Sequence, residues 1–329
     1  MSIKGMEGYG KIDLHLHLDG SLSAGTILRL AEKDGVKLAA KTEEELLPYI
    51  TVSRDCRDLN EYLRCFEIPL MILQTAENLF VAAYELGREL RKKGLVYAEI
   101  RFAPQLHGRL GTTQEEAVQA VLAGIHKAME ESGDKICLRA ILCCMRGEDT
   151  HEANLETVRT AAGYLGKGVV AADLAGAEGL YPTGDFAEEF TLARDLGVPV
   201  TIHAGEADGP KSIWKALEFG AARIGHGVRA IEDEELMREL AARGIPLEMC
   251  PTSNLQTKAA ERIVDYPLRE YLRRGIKVTV NSDNMTVSDT WAGNEFALLS
   301  KEYGLTEAEA ELLYRNAEEA EFDRIAGRA

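Results

Sequence analysis

Apolar positions along the chain fall into two rhythms. Eight short runs, at residues 11–18, 96–103, 137–145, 169–176, 198–205, 222–227, 245–252 and 277–283, are rich in Val, Ile and Leu and read as strands. The stretches between them carry apolar residues three and four apart, as in EEAVQAVLAGIHKAMEES and DEELMRELAARG, and read as amphipathic helices. Threonine followed three residues later by glutamate marks helix starts at Thr42/Glu45, Thr113/Glu116 and Thr306/Glu309. Gly244 reads as a C-cap, and LGVP and RGIP as helix-to-strand turns.

Strands alternating with helices, without a glycine-rich dinucleotide loop, predict an α/β fold, a (β/α)8 TIM barrel rather than a doubly wound sheet. No Ser- or Pro-rich linker interrupts the chain, so residues 1–329 read as a single barrel domain. One interval breaks the spacing. Residues 19–96 hold several helical stretches between the first two strands, a helical insertion in which Leu59, Tyr62, Leu63 and Phe66 recur at helical spacing. Such a stripe is a core face; placed after the first strand, it would also serve as a lid over the barrel mouth.

Charge narrows the choice of partners. Lys and Arg number 38 against 54 Asp and Glu, a formal net charge of −16. That field argues against nucleic acid and anionic membrane and suits a neutral or cationic small molecule. No apolar run reaches the roughly 20 residues of a membrane helix, and MSIKGMEGYG lacks the apolar segment of a signal peptide. The six cysteines show no CxxC spacing and read as reduced thiols of a cytoplasmic enzyme.

Candidate chemistry sits where strands end. His15, His17 and Asp19 recur two apart in KIDLHLHLDG, so they share one face of the first strand. The fifth strand ends in HAGE (His203, Glu206), the sixth in GHG (His226) and the eighth in NSD (Asp283). In a barrel all these ends open on one face. Three imidazoles and a carboxylate gathered there suit zinc or another borderline divalent ion, which would move the pKa of a bound water from about 15.7 toward about 7. Without a metal or water, four histidines in one mouth would be costly to desolvate. Glu206, beyond the tight Ala204-Gly205 turn, is placed for proton transfer rather than ligation, although a carboxylate at a helix N-terminus would look the same.

Taken in order, KIDLHLHLDGSL, AADLAGAE, TIHAGE, RIGHGV, CPTSN and VTVNSDN resemble the adenosine deaminases of the amidohydrolase superfamily, over residues 11–284. The resemblance implies a metal-dependent hydrolase with one zinc per chain, held by His15, His17, His203 and Asp283. Glu206 would protonate N1 of the purine; His226 would orient and help deprotonate the zinc-bound water, and its positive form would stabilise the developing oxyanion. Asp283 would also accept a hydrogen bond from that water. His17 and Asp19 would line the substrate site, with Asp19 on the ribose hydroxyl and the Gly176 N–H at purine N3. Two-metal relatives carry a bridging lysine in the fourth strand; here Lys167 precedes it. Asn284 stands where the animal enzymes have an aspartate at N7, and its amide would donate there. Ser282 replaces a threonine, and Ala177 a frequent carboxylate.

The reaction implied is hydrolysis of adenosine, and of 2′-deoxyadenosine, to inosine and ammonia in purine metabolism. The expected partner is a small-molecule purine nucleoside, and homo-oligomerisation is left open. A deaminase of adenine or another 6-aminopurine is the nearest alternative; Asp19 favours the nucleoside. An inactive nucleoside-binding barrel would have lost the acid or a ligand, and Glu206, His226 and Asp283 are all present. An AMP deaminase would need a cationic phosphate pocket, which no motif supplies. The HxE…PCxxC pattern of the cytidine-type deaminases is absent.

Overall fold

The computed structural model describes residues 3–326. Its strands are β1 (Ile12–His17), β2 (Tyr97–Phe102), β3 (Cys137–Met145), β4 (Val169–Ala175), β5 (Thr201–Ala204), β6 (Arg223–His226), β7 (Leu247–Met249) and β8 (Val278–Val280). They pair in parallel as two four-stranded sheets, β1 to β4 and β5 to β8 in sequence order. Single bridges join the seams, Ala172 with Val200 and Leu16 with Asp283. At the second seam the His17 N–H donates to Asp283 O and the Asp283 N–H to His15 O, both at 2.8 Å. The strand order thus returns to its start, and the ring is the expected barrel.

The last strands are shorter than their apolar runs. Pro251 opens the helix Pro251–Gln256 and ends β7 early. Beyond β8 the backbone turns through Asp283, at φ +61°, to meet β1. Asp19 also lies outside its strand, in the 3-10 turn Asp19–Ser21, so a turn rather than strand parity aims it.

Barrel interiors are filled mostly by branched aliphatic residues. This one is ionic. Arg101 on β2 donates to Asp173 on β4 (2.9 Å) and Glu248 on β7 (2.8 Å). Arg223 on β6 reaches Glu248 (2.6 Å) and Glu99 on β2. The bonds from β2 to β6 and β7 span the ring through its interior, and all five side chains are fully buried. The apolar core lies outside, where Leu16, Ile100, Leu142 and Leu174 pack with the surrounding helices.

Between β1 and β2 run the helices Ala24–Asp34, Glu43–Ile50, Leu59–Leu63, Glu67–Ile72 and Ala76–Lys93, the expected insertion. Complete capping boxes form at Thr113 and Thr306. At Thr42 the hydroxyl accepts from Glu45 N, but the Glu45 carboxylate caps Lys41 N instead, one residue upstream. The helix Ala76–Lys93 lies against Gln114–Glu131 at backbone distance, because a Cβ on Gly124 would stand 2.4 Å from Phe80 O. No helix among the described residues is long and apolar enough to cross a membrane. The six cysteines form no disulfide, and all but Cys137 are buried.

One buried carboxyl makes stability depend on pH. Glu295 accepts from the Thr252 N–H (2.9 Å) and the Thr290 hydroxyl, and burial pushes it from 4.5 up to about 7. The folded state holds this proton more tightly than the unfolded chain. Its contribution is therefore full below the unfolded value and lost as pH rises through about 7. Glu295→Gln keeps an acceptor for Thr252 and removes the charge. Denaturant unfolding should show the variant gaining up to about 3 kcal/mol at about pH 8 and almost nothing at about pH 4; an equal gain at both would disprove the charge argument.

Candidate active site

The mouth of the barrel is built from strand ends. His15 and His17 project from β1, His203 from β5, and Asp283 from the loop that closes β8 onto β1. The Nε2 atoms of His17 and His203 lie 3.2 Å apart. Asp283 Oδ1 lies 3.6 Å from His15 Nε2 and 3.4 Å from His17 Nε2. His15 Nε2 is buried without a hydrogen-bond partner. Donors on a tetrahedral ion at 2.0–2.2 Å stand about 3.3–3.6 Å from one another, close to these three distances; ligand atoms of His15, His17 and Asp283 lie within 4.8 Å of one another, as do those of His15, His203 and His226.

Behind the imidazoles stands a layer that fixes their tautomers. His15 Nδ1 donates to Glu248 Oε2 at 2.8 Å, and His203 Nδ1 to Asp173 Oδ1 at 3.1 Å. With their protons held at Nδ1, both rings turn Nε2 lone pairs to the centre. Arg101 bridges the two carboxylates. Burial holds His17 and His203 below the usual imidazole pKa, in the neutral form that ligates. Burial alone would raise the Asp283 carboxyl, but the imidazoles beside it, His15 foremost, outweigh it and hold the group ionised.

Glu206 stands across the mouth, with Oε2 3.5 Å from His226 Nε2 and Oε1 accepting from the Thr257 hydroxyl at 3.0 Å. Burial, then the charges of Asp283 and Glu178, push its carboxyl well above the ordinary range, which favours the protonated form. Its loop is held by Glu178, whose carboxylate gathers the N–H groups of Gly205, Glu206, Ala207 and Asp208 at 2.7–3.0 Å. His226 ends β6 at φ +61°, a backbone region non-glycine residues seldom occupy, and burial lowers its pKa strongly.

The remaining expected residues fall around this centre. Asp19 is buried, accepts from the Gly20 N–H at 3.1 Å and has its carboxyl pushed up to about 6 by burial. Gly176 follows β4 at φ +105°, where glycine alone is comfortable. Asn284 differs from the simple expectation. Its Nδ2 already donates to Asp283 Oδ1 (2.7 Å) and Tyr62 OH (3.0 Å), so donation to a purine would require leaving one of them. Its Oδ1 fills the space where a Cβ on Gly20 would sit.

Of the insertion residues, Leu59 lines a cavity of about 560 Å³ that it shares with Glu206, Thr257, Leu180 and Arg229. Tyr62 hydrogen-bonds Ser288 Oγ at 2.6 Å and contacts Asn284. Phe66 and Leu63 pack with Leu59, Tyr62, Cys65 and Val287 in a small separate core. The insertion is thus pinned to the loop that carries Asp283.

Asp173, Glu248, Arg101, Glu178 and Asn254 did not stand out in the sequence reading. A signal was present for three of them. AADLA, PLEMC and EIRF each place a charge inside an otherwise apolar strand, and a charge buried in a strand needs a partner or a ligand.

Activating water at a cation while protonating a substrate nitrogen from the opposite wall is what hydrolytic loss of an amino group requires. This mouth supplies both sides, which places the fold and site among the metal-dependent hydrolases. The chain belongs to the adenosine deaminase family, whose model matches residues 10–326. An adenosine deaminase of Haemophilus ducreyi is 53% identical over 323 residues, 97% of this chain and 94% of that one. Among solved structures, the adenine deaminase from Arthrobacter aurescens superimposes with a TM-score of 0.86 at 28% identity, covering 95% of this chain and 94% of its own. The N6-methyl-AMP deaminase from Arabidopsis thaliana gives 0.84 at 27%, covering 99% and 96%.

Proposed function

We propose that this chain hydrolyses adenosine and 2′-deoxyadenosine to inosine or 2′-deoxyinosine and ammonia, with one zinc ion held by His15, His17, His203 and Asp283. The observation that carries the reading is the orphaned His15 Nε2, shared between a cluster with His17 and Asp283 and a cluster with His203 and His226, with the Glu206 carboxyl 3.5 Å from His226 and raised by burial. Three nitrogens and one oxygen are a donor set zinc takes. The ion supplies Lewis acidity, which brings water ionisation toward neutral pH.

The chain's own groups supply the rest. Glu206 gives its proton to purine N1, drawing electrons from C6 so that water adds there. Asp283 accepts a hydrogen bond from the attacking water, and His226 orients it from the Glu206 side. Asp19, ionised at neutral pH, accepts from a ribose hydroxyl, and the Gly176 N–H serves N3.

Zinc-loaded protein should abolish the adenosine absorbance band, with kcat/KM for adenosine above that for adenine or AMP. A higher value for adenine would transfer the assignment to the base, and no turnover of any of the three would end it.

A further inference from the structure

The deaminase reading leaves open which nitrogen of His226 carries its proton, and the structure answers through Asn254. This residue lies in the short helix Pro251–Gln256 that follows β7. Its side chain is fully buried and touches three groups. The backbone N–H of Cys250 reaches Asn254 Oδ1 at 3.3 Å, and the Tyr266 hydroxyl reaches the same atom at 2.6 Å. Asn254 Nδ2 lies 3.0 Å from His226 Nδ1.

A backbone N–H only donates, so the atom facing Cys250 must be the amide oxygen. Turning the amide over would set two donors against each other at Cys250. Nδ2 therefore faces His226, and an amide nitrogen also only donates. His226 Nδ1 must then be the acceptor.

We propose that Asn254 is a positioning residue that locks His226 in the Nε2–H tautomer, so that His226 enters the reaction as a hydrogen-bond donor to the oxygen at C6 and not as the base. The donor is aimed into the site: Nε2 faces Glu206 Oε2, and the His226 ring packs 4.7 Å from His15 and 5.1 Å from His203, centroid to centroid. A donor preset where negative charge develops costs no reorganisation at the moment of reaction. The chain of fixed groups, from the Cys250 N–H through the Asn254 amide to the imidazole, sets the proton position from the backbone outward. Tyr266 reinforces it from the far side of the same oxygen.

This inference rests on the deaminase reading only for its catalytic half. The tautomer is read directly by ¹⁵N NMR of zinc-loaded protein with labelled histidines and no substrate, His226 being assigned from resonances missing in His226→Gln. The expected spectrum shows a bonded proton on Nε2 and the downfield shift of an unprotonated Nδ1. Asn254→Asp presents an acceptor to Nδ1; the proton should move there, with kcat falling about 10²-fold while zinc content and KM stay near wild type. A wild-type His226 protonated at Nδ1 overturns the proposal even if the variant fails to fold. So does a variant whose proton has moved but whose kcat has not. Protein that turns over no adenosine yet shows the Nε2–H spectrum would sink the deaminase reading and leave the tautomer assignment standing.

Discussion

Glu206→Gln is expected to lower turnover by about 10²-fold or more while leaving the bound metal in place. The amide has nearly the shape of the acid, and its oxygen can still accept from Thr257. The loop backbone stays gathered on Glu178. What disappears is the acidic proton that purine N1 must receive before C6 yields to water. Metal analysis and steady-state kinetics on the same preparation decide the matter: near-wild-type turnover would remove Glu206 from the mechanism, and lost metal would make it structural. A pH profile adds an independent reading. Burial and the Asp283 and Glu178 charges raise this carboxyl, so the active, protonated form persists above the ordinary carboxylate range and is lost on the alkaline side. The wild-type kcat/KM should fall there, and the residual activity of the Gln variant should lack that limb.

Arg101→Met should cost about 3–5 kcal/mol of stability and weaken metal binding about 10–100-fold. Arg101 is fully buried and holds Asp173 at 2.9 Å and Glu248 at 2.8 Å. Removing it leaves the buried Asp173 without a guanidinium partner and Glu248 with Arg223 alone. Each carboxylate in turn orients one ligand, Glu248 through His15 Nδ1 and Asp173 through His203 Nδ1. One substitution therefore loosens two imidazoles from strands β1 and β5 together. Urea unfolding of the metal-free protein gives the first number, and competition with a metal indicator gives the second. A variant that lost stability but kept its metal affinity would confine Arg101 to the packing of the barrel.

The barrel and the metal-facing residues were legible for one reason. Strand ends in a barrel converge, so His15, His203, His226 and Asp283 could be brought together from sequence position alone. The ionic interior was harder, because Arg101 and Glu248 read as isolated charges until closure of the ring sets β2 opposite β7. Turn geometry was hidden as well. The backbone at Asp19 has left the ladder, and Asp283 bridges to β1 at φ +61°, so strand parity no longer says where those side chains point. The role of Asn284 depended on which neighbours took its two amide hydrogens, and Tyr62, more than 200 positions away, is one of them. Asn254 was invisible for the same reason: its meaning comes from a backbone N–H and a distant imidazole.

The ionic interior also has a consequence for synthesis. The Phe322 N–H donates to Glu99 at 2.8 Å, and Arg223 binds Ala320 O at 2.7 Å while holding Glu248, the partner of His15. The first histidine of the site is thereby tied, through Glu248 and Arg223, to a segment some 300 residues later. On the ribosome, β1 emerges early, but its ligand geometry is completed only after residues 320–322 leave the exit tunnel. A nascent chain stalled before that point would carry every metal ligand and still lack the finished site.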